Sequence, residues 1–334
     1  MTSSPNLTKQ IEPEFKPGPI LRNTHFQSIF SSFGPRALIL KNRYQGFKAG
    51  EQKLELDCGE GVTLSGFYNQ AGAQPAQQMA ILIHGWEGCH GSAYMISMTS
   101  SLLESGVDVF RLNMRDHGET HHLNKGIFNS TLLDEVIGAI VDIQSRLPHA
   151  QCYLIGFSLG GNFSLRVAAN AHDRAVNLEK VIVFCPVIHA GESNEALLQK
   201  RNWLYEKYFI RRWKRSLRKK LEYFPDYDYA ETLDEMKTLD EMNKGLVPKY
   251  TGFKLEEYFD AYAVTDDRLA DTICPCYLHF SKDDMIIPVQ DVDKLSRTDN
   301  LHITITEYGG HCGFLMNWKL DSWQDARVLA LIEK

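Results

Sequence analysis

The sequence predicts an α/β fold: a mostly parallel β-sheet flanked by helices, with a helical cap-like insertion between two late strands. Three observations predict it. Short, nearly continuous apolar runs such as "QMAILIH" and "KVIVFCPV" alternate with helix-like segments, as strands buried on both faces alternate with crossover helices. The first two strand-like segments, "KLELDC" and "VTLSGFYN", instead alternate apolar with polar residues, the pattern of half-buried antiparallel strands. From about His189 to Leu269 the strand signal stops and the chain becomes charged, aromatic and helix-like.

The elements follow in order. Residues 1–50 read as an N-terminal arm packed on the core through Ile20, Leu21, Phe26 and Ile29. Glu60 and Gly61 supply the turn between the first two strands. After "QMAILIH", "AYMISMTSSLLESG" is a helix ending at Gly106, and "VDVFRLNM" is a strand. "STLLDEVIGAIVDIQSRL" is a helix with an N-cap at Ser130 or Thr131 and a stop at Pro148. "QCYLIGF" is a strand, "LGGNFSLRVAANA" a helix and "KVIVFCPV" a strand. Beyond the insertion, "CPCYLHFS" is a strand, "PVQDVDKLSR" a helix, "NLHITITEY" the last strand and "LDSWQDARVLALIEK" an amphipathic helix. The organisation is therefore an arm (1–50), a core in two parts (51–188 and 270–334) and a helical insertion (189–269).

Bulk properties narrow the function. With 334 residues and 43% hydrophobic content, the chain can bury a large core. A net charge of -6, from 36 basic and 42 acidic residues, argues against nucleic acid as a partner. The seven cysteines show no pairing pattern of a disulfide framework, and Cys274 and Cys276, separated by one residue, do not make the usual zinc or redox spacing. No secretory leader and no run of about 18 apolar residues is found, and a cytoplasmic protein is expected.

One motif carries chemistry. In "LIGFSLGGN", Gly156, Phe157, Ser158, Leu159 and Gly160 form G-x-S-x-G between a buried strand and a helix. That context is the nucleophile elbow, a strained turn that raises a serine hydroxyl above the sheet edge at a helix N-terminus. A serine needs a base, and the base an orienting acid. In this arrangement the acid and then the histidine follow the serine along the chain. His311 follows two glycines after the last strand; His279 and His302, inside strands, read as structural. After the preceding strand, "LHFSKDDMIIP" offers Asp284, three residues before Pro288, with Asp283 the adjacent alternative. The oxyanion donors expected are the backbone N–H groups of Leu159 and of Trp86, the latter in the glycine-rich "HGWEGCHGS" loop.

Together "HGWEG", "NMRDHGETHHLN", "GFSLGGN", "KDDMIIP" and "GGHCGF", with the arm segment "NTHFQSIF", resemble the YheT-type branch of the α/β-hydrolase superfamily over nearly the whole chain. The branch comprises predicted serine carboxylesterases. The resemblance implies an α/β-hydrolase fold, a Ser158–Asp284–His311 triad and esterase chemistry on a small-molecule acyl ester. In much of the branch proline follows the second aspartate; here Met285 does. Acylglycerol-like lipids fall within the expected substrates, and the chemistry calls for no cofactor and no metal. A thioesterase or acyltransferase would use the same triad, and a ligand-binding protein on a hydrolase scaffold is the reading of another class.

Two further constellations stand out. Asp116, His117, His121 and His122 crowd one loop. They are zinc ligands by type, but they share one loop without a remote partner; the resemblance places the stretch near the mouth of the site and so implies a hydrogen-bonded loop shaping the pocket. In "KRNWLYEKYFIRRWKRSLRKKLEYF", Arg211, Arg212, Lys214, Arg215, Arg218, Lys219 and Lys220 interleave with Trp203, Tyr205, Tyr208, Phe209, Trp213 and Leu217. This reads as an interfacial helix making peripheral contact with anionic lipid, or as a cap helix with an apolar underside and a solvated basic top, the more common arrangement in this fold, and the two are compatible. The acidic segment after it is placed to offset the basic one. Cys312, beside His311, reads either as a redox-sensitive thiol or as a packed loop residue.

Overall fold

The structure, a computed structural model, describes residues 15–32 and 34–333. Residues 1–14, most of the stretch read as lacking a leader, lie outside the described residues. Helices α1 (Thr24–Phe30) and α2 (Pro35–Lys48) form the arm. Strands β1 (Gln52–Asp57), β2 (Thr63–Asn69) and β3 (Gln78–Ile83) lead to α3 (Ala93–Glu104) and β4 (Asp108–Asn113). Then come α4 (Leu133–Arg146), β5 (Gln151–Phe157), α5 (Leu159–Asn170) and β6 (Lys180–Phe184). The insertion carries α6 (Ala190–Leu198), α7 (Trp203–Tyr223), α8 (Leu239–Thr251) and α9 (Leu255–Ala261). Strands β7 (Cys276–Ser281) and β8 (Leu301–Thr306) and helix α10 (Trp323–Ile332) complete the chain.

The strands make one eight-stranded sheet in the order β1-β2-β4-β3-β5-β6-β7-β8. β2 is antiparallel to both β1 and β4, and the remaining pairings are parallel. Burial explains the two sequence patterns. β3 is fully buried from Met79 to Ile83, whereas β1 exposes alternate residues at the sheet edge. Each fully buried Leu, Ile or Phe side chain contributes about 1.5–3 kcal/mol, so the central strands hold the sheet as a rigid base. The parallel register aligns Ile83 with Gly156, Phe157 with Phe184, and Ser281 with Thr306. The segments that follow these strands therefore emerge at one edge of the sheet, where ligands bind in open α/β sheets.

Four expectations are corrected. Of the four arm anchors only Leu21 is buried; Ile20, Phe26 and Ile29 are 51%, 39% and 39% exposed. The arm is held instead by Phe15 and Leu40 and by the polar side chains of Gln27 and Arg36. The Gln27 amide donates to the Leu315 carbonyl (3.1 Å), and the Arg36 guanidinium to Ser97 Oγ (2.9 Å). Helix α4 starts after Leu132 without a side-chain cap. Thr131 Oγ1 bonds Asn129 Oδ1 (2.6 Å), and the Ser130 amide donates to the Tyr258 hydroxyl (2.9 Å). "PVQDVDKLSR" closes only as a 3₁₀ turn, Val289–Lys294, because Leu295 returns to extended backbone on the way to β8. The basic top of α7 is not uniformly solvated, since Lys214 and Lys220 are buried.

Candidate active site

Ser158 stands alone between β5 and α5, with φ 53° and ψ −118°. A non-glycine residue held there carries strain of order 1–3 kcal/mol, and such strain collects at functional turns. The surroundings impose it. The Ser158 amide donates to the Phe184 carbonyl (2.9 Å). A Cβ on Gly156 would lie 2.5 Å from the Gly160 carbonyl oxygen, and one on Gly160 would lie 2.3 Å from that of Ile83. Both glycines are thus required by close backbone approach.

The structure brings His311 and Asp284 to this serine. Past β8, Gly309 (φ 146°) and Gly310 (φ 54°) turn the chain back over the sheet. There His311 Nε2 lies 2.9 Å from Ser158 Oγ, and Nδ1 lies 2.9 Å from Asp284 Oδ2. The other oxygen, Asp284 Oδ1, accepts the amides of Ile286 (2.8 Å) and Ile287 (3.0 Å). Asp283, the alternative, instead accepts the Gly310 amide (2.8 Å) and so holds the histidine loop. Burial pulls the His311 imidazole down, but the Asp284 carboxylate, Cys312 and the hydrogen bond to Asp284 outweigh it, raising it from 6.5 to about 9.

The loop after β3 passes close above the serine: a Cβ on Gly85 would lie 3.2 Å from Ser158 Cβ. The amides of Gly85, Glu87, Gly88, Cys89 and His90 all have acceptors within the protein. Among the described residues, those of Trp86 and Leu159 have none, so both remain available to a ligand. The loop is clamped from outside. The Trp86 ring stacks on Phe209 (5.1 Å) and meets Trp213 edge-on (5.3 Å), both from α7. Arg212 donates to the Glu87 carbonyl, and Glu87, at φ 57°, donates its amide to His117 Nε2 (3.1 Å). Burial, opposed by Arg212, raises the Glu87 carboxyl from 4.5 to about 7.

The crowded loop is bonded in the same way. His117 Nδ1 donates to the Arg115 carbonyl (2.6 Å), and burial first, then His84, lowers its imidazole to about 3. Asp116 Oδ1 accepts from the buried Lys220 ammonium (2.7 Å), and His121 Nε2 meets Ser216 Oγ (2.8 Å). Along α7, Arg218 pairs with Asp234 and Lys219 with Glu119, so part of its basic charge is spent within the chain.

Two cavities meet at Ser158. One, of about 140 Å³, is walled by apolar side chains including Leu197, Phe209, Trp213, Leu246 and Phe259. The other, of about 820 Å³, contains His311, Cys312, Glu87, Arg201 and Arg212. Sequence reasoning missed Ser28, whose hydroxyl accepts the His311 amide (3.0 Å), and Cys185, whose sulfur accepts the Cys312 amide (3.5 Å). It also gave Arg212 no individual role. No local signal marks these residues, because their partners lie more than a hundred positions away in the chain.

The mostly parallel sheet, the serine turn at its edge and the helical insertion define an α/β-hydrolase fold. Residues 80–319 match the alpha/beta hydrolase family, and the chain belongs to it. Among curated proteins, it is 21% identical over 254 residues to mouse phospholipase ABHD3, and 22% identical over 251 residues to the bovine protein. These alignments cover 75% and 74% of this chain but 61% and 60% of the relatives, so the chain spans about three fifths of their length. Among solved structures, it resembles the Pyrococcus furiosus esterase Pf2001 (TM-score 0.57, 14% identity, 96% of this chain and 97% of that one). It also resembles ferulic-acid-bound Est1E from Butyrivibrio proteoclasticus (TM-score 0.52, 18% identity, 84% and 96%). Among the described residues, no helix is long and apolar enough to cross a membrane.

Proposed function

We propose that the protein is a serine hydrolase of the YheT-type branch that cleaves carboxylic esters through an acyl-enzyme on Ser158. The observation that carries this reading is the unbroken Ser158–His311–Asp284 hydrogen-bond chain at a strained strand-to-helix turn. His311 takes the Ser158 proton as Oγ attacks the ester carbonyl. The Trp86 and Leu159 amides receive the oxyanion, while Asp284 holds the imidazole tautomer and stabilises the imidazolium. His311 then protonates the leaving alcohol, and water, activated by His311, releases the acid.

The general acid must touch the leaving oxygen. The alcohol portion therefore belongs in the larger cavity, which contains His311, and the acyl portion in the apolar one, which does not. The apolar walls, together with the phospholipase relatives, favour acyl lipids within the ester class. Around the larger cavity, Trp203, Leu204 and Tyr208 are 51%, 54% and 44% exposed, with Arg201 beside them. This apolar, basic rim supports peripheral contact with an anionic lipid surface. The seven free thiols support a cytoplasmic setting.

The test is fluorophosphonate labelling of the wild type beside Ser158→Ala. Labelling and ester hydrolysis are both expected to disappear in the variant. Hydrolysis by Ser158→Ala at the wild-type rate would refute the reading.

A further inference from the structure

Two thiols meet beneath the candidate triad and take no part in the proposed reaction. Cys185 follows β6 and Cys312 follows His311, 127 positions apart in the chain. The Cys312 amide donates to Cys185 Sγ (3.5 Å), and the two sulfurs and a His311 ring nitrogen all lie within 4.8 Å of one another. The Cys185 thiol donates to the Gly310 carbonyl (3.7 Å), and that of Cys312 to the Phe184 carbonyl (3.5 Å). Both residues have positive φ, 45° and 55°. Cys185 is wholly buried; Cys312 is 7% exposed and is one of the residues lining the larger cavity, as is Ser158.

We infer that Cys312 and Cys185 form a peroxide-oxidisable dithiol that controls the placement of His311. A thiol at the wall of a cavity, with a histidine beside it and a second thiol in reach, has the neighbours of a sensor cysteine with its resolving partner. In the first step the Cys312 sulfur attacks hydrogen peroxide: an S–O bond forms, the O–O bond breaks, and one water leaves. In the second, the Cys185 sulfur attacks Cys312: the S–S bond forms, the S–O bond breaks, and a second water leaves. The two thiols lose two electrons, and the peroxide gains them.

A disulfide requires about 2.05 Å between sulfurs, so the Cys312 loop must draw towards β6. His311 is the adjacent residue and is fixed to the serine by a single 2.9 Å contact. A displacement near 1 Å at such a site costs roughly 100-fold in rate. Reduction by a dithiol reverses the bond and restores the loop.

The experiment treats the wild-type protein with limiting hydrogen peroxide, blocks remaining thiols with an alkylating reagent, and maps the peptides by mass spectrometry. A Cys185–Cys312 linked peptide is expected, together with loss of Ser158 labelling by fluorophosphonate and its recovery with dithiothreitol. Cys185→Ala should form no link, and its Cys312 should pass to sulfinic acid with irreversible loss of labelling. If both thiols remain reduced at doses that oxidise the partly exposed Cys89, the inference is overturned. A link that leaves labelling unchanged overturns the control of His311. Peptide mapping reads the thiols alone, so failure of the dithiol is distinguishable from failure of the hydrolase reading.

Discussion

Replacing Asp284 by asparagine tests the proposed acid through the tautomer it enforces. Asp284 Oδ1 accepts two backbone amides at 2.8 and 3.0 Å, and Oδ2 faces His311 Nδ1 at 2.9 Å. Asparagine retains only one acceptor oxygen. Turning its NH₂ towards the two amides would set donor against donors and forfeit two hydrogen bonds, about 0.5–1.5 kcal/mol each. The oxygen therefore stays on the amides and the NH₂ faces Nδ1, which must become an acceptor. The imidazole proton then sits on Nε2, pointing at Ser158, and the base has no lone pair for the serine proton. A correctly oriented triad with the wrong tautomer loses about 10⁴ in kcat, or about 5.5 kcal/mol of transition-state stabilisation. Asp283→Asn is the internal comparison. Its remaining oxygen can still accept the Gly310 amide, which lies at 2.8 Å in the wild type, and the loss should stay under about 10-fold. The assay is steady-state hydrolysis of a short-chain p-nitrophenyl ester, with folding checked by thermal melting. Asp284→Asn within about 10-fold of wild type, or Asp283→Asn falling as far as Asp284→Asn, would refute the reasoning.

The raised His311 imidazole gives a pH signature. The base must be neutral, so kcat/KM should rise with pH along a limb alkaline of 6.5, towards about 9; a limb at or below 6.5 in a pH–rate profile contradicts the environment described. Because the folded value is the higher one, the same shift contributes stability that is complete below the unfolded value near 6.5 and is lost as pH climbs through about 9. The exposed rim should give salt-sensitive binding to vesicles containing anionic lipid, and Trp203→Ser with Leu204→Ser should weaken it by about 10-fold or more. Sedimentation with vesicles measures this, and unchanged binding by the double variant removes the rim from the proposal.

The main sheet and the candidate serine are legible in the sequence because their signals are local. Buried apolar runs announce β3, β5 and β6, and the glycines flanking Ser158 stand where backbone atoms leave no room for a Cβ. His311 and Asp284 are legible through chain order and their position after strand ends. The choice between Asp284 and Asp283 is not, since both adjacent carboxylates serve the same loop and only their geometry separates imidazole from backbone amide. The arm resists such a reading because apolarity alone points to the wrong anchors, while its buried contacts include a glutamine and an arginine. The Cys185–Cys312 pair has no sequence period at all, being a meeting of two loops made by strand order.

The insertion is bound into the proposed oxyanion site and does not merely cover it. Trp86 is held between Phe209 and Trp213, and Arg212 fixes the next carbonyl, all from one face of α7. Further along the helix Lys220 reaches Asp116, in the loop whose His117 accepts the Glu87 amide. Phe209 and Trp213 also wall the apolar cavity. A substitution on α7 that resizes the proposed acyl cavity therefore also disturbs the Trp86 amide, the proposed oxyanion donor. Donor position is worth about 2.7–4 kcal/mol where single oxyanion contacts have been removed from enzymes, more than the roughly 1–3 kcal/mol by which a methylene distinguishes substrates in an apolar pocket. On the proposed mechanism acyl preference and turnover are coupled through one helix, so changing the preference at Phe209 or Trp213 is expected to cost rate on every ester.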